Sequence, residues 1–161
     1  MFKNELTSTI AGFLIEIGID VKPGKIEVKT FFPGMYIDRG AITVDESILK
    51  NPGDILHEAG HLAVLMPEER KVVVGNAGKT GGQEIMTIAW SYAACIHLGL
   101  DTAVVFNDDG FSGESPSLIE NFGNGRYIGV PGLQRFGMTL DSKQAAELGR
   151  ESFPKMTRWL R

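Results

Sequence analysis

The stretch Asp54-Ile55-Leu56-His57-Glu58-Ala59-Gly60-His61-Leu62-Ala63-Val64-Leu65-Met66, followed by Pro67, has apolar residues at helical spacing and two histidines four positions apart. On a helix, residues i and i+4 share a face about one turn apart. Two imidazoles so placed can converge on one Zn²⁺ at about 2.0–2.1 Å, and Glu58, next to the first of them, can stand beside a metal-bound water. Zinc lowers the pKa of that water towards about 7, so Glu58 is the candidate general base and His57 and His61 are candidate ligands. Only three histidines occur in the chain. At this composition an H-E-x-x-H pattern arises by chance in about 0.4% of chains of this length, which favours a metal site over two unrelated helix histidines.

A structural zinc site closes its shell with four protein ligands, usually including cysteine, and Cys95 is the one cysteine here. A water-bearing site needs one more protein ligand. The candidates are Glu84, His97, Glu68, Glu69, Asp108 and Asp109. Glu84 is favoured because it opens the next long helix, after Gly81-Gly82, where a carboxylate suits the helix dipole. His97 lies 13 positions further on, roughly 220° around and 20 Å along the same helix, so the two cannot share an ion. His97 reads as a helix-end histidine, and Glu68 and Glu69 as solvated residues just after Pro67.

Outward from this segment the chain reads as one α+β domain, residues 1–161. Leu6, Ile10, Phe13, Leu14 and Ile17 predict an amphipathic helix over 4–17, stopped by Gly18. Lys25-Ile26-Glu27-Val28-Lys29 alternates as a strand does. Residues 35–37 and 41–44 predict a hairpin turning at Asp38-Arg39-Gly40. Val72-Val73-Val74 suggests a short strand, a glycine-rich loop follows, and a long helix is expected over 83–98, ended by Gly99. Residues 102–106 read as a buried strand before an Asn107-Asp108-Asp109-Gly110 turn. Helices are expected from Pro116 to about 122, over 142–149 behind an Asp141/Gln144 capping box, and from Pro154 onward.

Composition narrows the classes. The chain is 43% hydrophobic and carries 16 Lys+Arg against 20 Asp+Glu, a formal charge of −4 without a basic run, so nucleic acid is not an expected partner. No apolar stretch approaches the roughly 20 residues of a membrane span, so no membrane partner is expected. With one cysteine and no signal-like pattern in the first helix, a cytoplasmic location is expected. Gly75-Asn76-Ala77-Gly78-Lys79-Thr80 after an apolar triplet imitates a phosphate-binding loop, but the pattern needs glycine at position 73, which is Val73.

His57, Glu58, His61 and Glu84 together resemble the gluzincin pattern of zincin metallopeptidases. Gln83-Glu84-Ile85-Met86-Thr87-Ile88-Ala89-Trp90 is similar to the glutamate helix of short bacterial gluzincins such as the ImmA/IrrE metallopeptidases, over about residues 35–98. The resemblance implies a zincin-like fold, with a small, mostly antiparallel sheet packed on an active-site helix and a second long helix. It implies a zinc-dependent peptidase acting on a peptide or protein substrate that pairs with an edge strand, here residues 41–44. The alternative is a non-catalytic metal-binding or partner-binding protein on that scaffold. Where gluzincins often carry an aspartate after the glutamate to orient a ligand histidine, this chain has Thr87 and Ile88, leaving Asp54, one turn before His57, as a candidate. Tyr92 and Tyr127 are candidate oxyanion donors, more simply read as core residues.

Overall fold

A computed structural model describes residues 1–30, 32–78, 80–111 and 113–161. The quoted segment forms helix α2 (Asp54–Val64), in which every residue from Ile55 to Val64 is buried. A helix covered on all sides needs partners all round. Its principal partner is the long helix α4 (Gly81–His97), buried from Thr87 to Cys95. Gly60 makes their close approach possible: a Cβ there would lie 2.9 Å from Thr87 Cγ2, 3.2 Å from the Thr87 carbonyl and 3.3 Å from the Trp90 ring. Met66, held extended before Pro67 as pre-proline residues are, completes the exit from α2. Arg70, at the end of α3 (Pro67–Arg70), then donates to the Leu62 carbonyl at 2.8 Å and the Leu65 carbonyl at 3.1 Å, placing a cation on the C-terminal carbonyls of α2.

The sheet has four strands, β1 (Val21–Pro23), β2 (Met35–Asp38), β3 (Ala41–Val44) and β4 (Val74–Gly75), in the order β1-β3-β2-β4. β1 runs parallel to β3, while β2 is antiparallel to both β3 and β4. β2 and β3 form the expected hairpin, with Arg39 at φ 48° and Gly40 at φ 83° supplying the two positive φ angles of a type I′ turn. Ile37, Ile42 and Val44 turn inward onto the core that also receives α1 (Glu5–Glu16). The architecture is α+β with a small mixed sheet.

After α4 come a 3₁₀ turn (Thr102–Val104), α5 (Asp108–Phe111), α6 (Ser115–Gly123), α7 (Val130–Arg135) and α8 (Ser142–Leu148). Asp141 and Gln144 form the expected capping box of α8. The tail then crosses the back of both central helices. Trp90 Nε1 donates to the Trp159 carbonyl at 2.8 Å, and the Arg161 amide donates to the Ala63 carbonyl at 3.0 Å.

Four expectations are corrected. Residues 25–29 are not a strand: β1 ends at Pro23, which has no amide to donate, and the chain leaves the sheet with the Ile26 amide on the Asp45 carboxylate and Val28 exposed. Residues 102–106 are not a strand either. Asp101 caps a turn through the Ala103 amide at 2.8 Å, and the Thr102 carbonyl accepts from Val105 and Phe106. No helix starts at Pro154, because the tail is held extended by the Thr139–Met156 bridge and the Thr157 amide on Met138. Residues 41–44 are not an edge strand: β3 lies between β1 and β2, and the edge beside β2 is β4. Lys79, part of the imitation phosphate loop, lies outside the described residues.

Gly60→Val places a branched side chain into the α2–α4 contact. Chemical denaturation should show a loss of roughly 2–3 kcal/mol; unchanged stability would contradict the close approach described.

Candidate metal centre

Neighbouring turns of α2 aim the imidazoles of His57 and His61 at the first turn of α4, where Thr80 caps the helix through the Gln83 amide and sets the direction of Glu84. His57 Nε2 lies 3.3 Å from Glu84 Oε1, and His61 Nε2 lies 3.3 Å from Glu84 Oε2. The two Nε2 atoms are 3.2 Å apart. With one ligand atom taken from each residue, the three atoms all lie within 4.8 Å of one another. The three side chains therefore have the spacing to hold one metal ion. Their chemistry agrees: two imidazole nitrogens and a carboxylate are donors that a divalent cation accepts.

Burial sets the protonation states. It pushes the Glu58 carboxyl up to about 7, opposed by the neighbouring His57 and reinforced by Glu84. It also pushes His61 down to about 4, aided by His57, which keeps that imidazole neutral and able to ligate. Glu84 is held below its usual range, first by its hydrogen bond to His57. Glu58 is 8% exposed and sits between the ligand cluster and the sheet, lining a cleft it shares with His57, His61 and Glu84. Phe32 and Phe111 flank His57 at ring separations of 6.0 and 5.7 Å, both edge-on.

The remaining sequence candidates fall elsewhere. His97 packs between Phe13 and Trp159. Glu69 accepts from the Met66 amide at the start of α3, and Asp109 accepts from Asn51. Glu68 and Asp108 are not in the ligand group. Asp54 accepts from Asn107 Nδ2 at 2.7 Å, and burial raises its carboxyl above the usual range. It thus anchors residue 107 instead of orienting a histidine, and His57 Nδ1 is buried with no hydrogen-bond partner among the described residues. Tyr92 and Tyr127 pack with Phe122 and Phe153, away from the ligands.

The position noted only as departing from the gluzincin pattern turns out to have a role. Thr87, three residues after Glu84 and so on the same face of α4, places Oγ1 3.2 Å from His61 Nδ1. That i, i+3 spacing was present in the sequence. Comparison of the chain with protein-family models, with curated proteins and with solved structures finds no match.

Thr87→Val removes this hydroxyl while keeping the side-chain shape. Divalent-metal affinity, measured by competition with a chromophoric chelator, should fall about 10–100-fold, the usual cost of losing such an outer hydrogen bond. Unchanged affinity would mean that Thr87 does not orient His61.

Proposed function

We propose that the protein is a zinc-dependent hydrolase of the metallopeptidase type, on a zincin-like arrangement of active-site helix, glutamate helix and small sheet. The carrying observation is that His57 Nε2 and His61 Nε2 each lie 3.3 Å from one oxygen of the Glu84 carboxylate and 3.2 Å from each other, with the buried Glu58 in the same cleft. A pure binding site needs the three ligands but not a buried carboxylate of raised pKa next to them. Zinc suits two imidazoles and a carboxylate, and when bound it polarises a carbonyl and acidifies water.

His57, His61 and Glu84 hold the ion, and Thr87 fixes the ring of His61. Glu58, with a carboxyl near 7, accepts a proton from the attacking water and returns it to the leaving amide nitrogen. The water oxygen bonds to the carbonyl carbon, the C–N bond breaks, and the products are a carboxylate and an amine. An extended peptide has a place to lie: β4 is a sheet edge, and the following Asn76 lines the cleft. Peptide pairing at such an edge uses main-chain hydrogen bonds and is tolerant of side chain.

A cytoplasmic location belongs to this proposal. Among the described residues no helix is long and apolar enough to cross a membrane. The Cys95 thiol is buried and pushed up to about 11 by that burial, so it stays protonated and unreactive.

Zinc-loaded protein incubated with a peptide library should release fragments, and Glu58→Gln should lower the rate by at least about 10²-fold while retaining the metal. No cleavage by the wild type, or equal cleavage by the variant, would overturn the proposal and favour a non-catalytic binding protein.

A further inference from the structure

Hydrolysis of an amide builds negative charge on the carbonyl oxygen, and a fixed donor aimed at that charge usually carries much of the acceleration. Neither tyrosine singled out in the sequence is placed to supply one. We propose that Asn76 does so: its side-chain amide donates to the substrate carbonyl oxygen as charge develops there. The inference rests on the hydrolase reading above and adds a residue to it.

Three observations converge on Asn76. It follows β4 directly and is exposed, lining the cleft shared by His57, Glu58, His61 and Glu84 and also a small adjoining cavity that Glu58 lines too. It therefore shares both cavities with the base Glu58 and one of them with the three ligands. Its Oδ1 accepts the Gly78 amide at 2.9 Å, which fixes the orientation of the side chain. Its Nδ2 has no protein acceptor among the described residues, so both of its protons remain available to a substrate.

Gly78 shows how near this loop comes. A Cβ there would lie 3.0 Å from His61 Cε1, 3.3 Å from His61 Nε2 and 3.4 Å from Asn76 Oδ1, so it would press on both the ligand ring and the Asn76 side chain. The absence of a side chain at 78 keeps that space open. A neutral amide suits the position, since it donates without repelling a cation and does not titrate near neutral pH.

The alternative role for Asn76 is to cap its own loop, and one substitution separates the two. Asn76→Asp keeps an oxygen for the Gly78 amide but removes the donor, whereas Asn76→Ala removes both. Two readouts on the zinc-loaded full chain decide the matter. They are kcat and KM on a cleaved peptide, and calorimetric affinity for a phosphinic pseudopeptide whose anionic oxygen stands where the charge develops.

Both variants should keep their zinc, lose about 10²–10³-fold in kcat with KM within about threefold, and bind the phosphinate at least tenfold more weakly. Wild-type kcat and phosphinate affinity in Asn76→Asp would overturn the inference and leave Asn76 as a loop cap. If the wild type binds the phosphinate but cuts no peptide, the hydrolase reading fails, while the relative phosphinate affinities still decide the role of Asn76. If the wild type does not bind the phosphinate, both fail.

Discussion

Burying two imidazoles and a carboxylate in the middle of a helix costs free energy unless each polar group finds a partner. In this chain α4 supplies partners for the imidazoles, Glu84 at both Nε2 atoms and Thr87 at His61 Nδ1, and the contact between α2 and α4 is the constraint from which the rest follows. Gly60 removes the side chain that would hold the helices apart, and Thr87 fills the resulting approach with its methyl on one side and its hydroxyl on His61. One turn earlier on α4, the same approach brings Glu84 against both Nε2 atoms.

Elements remote from the cleft contribute by holding those two helices. The tail ties α4 through Trp90 and α2 through the Ala63 carbonyl, while Arg70 links the end of α2 to the Arg161 carbonyl. At the other end, Asp54 and Asn107 bind the start of α2 to the segment that carries Phe111 over His57. The C-terminal third, featureless as a motif, acts as a clamp on the site-bearing core.

Local signals were the legible ones. H-E-x-x-H at helical spacing puts His57, Glu58 and His61 on one helix, and the start of the following helix selects Glu84, which the structure brings to the two histidines. The Asp38-Arg39-Gly40 turn and the Asp141/Gln144 box announced a hairpin and a helix start that are both present. What was not legible depends on partners distant in sequence. Alternation at 25–29 and the apolar run at 102–106 have strand-like periods, but among the described residues no strand pairs with either. Strand order was hidden for the same reason: nothing near residues 41–44 says that β1 covers one side of them, or that β4, arriving after the helix, becomes the edge. Asn76 was hidden within a loop that only imitates a phosphate-binding one, where no spacing singles it out.

Metal content tests the ligand set of His57, His61 and Glu84 most directly. Elemental analysis of the purified full chain, without a histidine tag and after exposure to zinc and exhaustive dialysis, should give about one zinc per chain, with Glu84→Ala and His57→Ala retaining far less. A wild-type protein that keeps no zinc, or variants that keep as much as the wild type, would contradict the assignment of His57, His61 and Glu84 as its ligands.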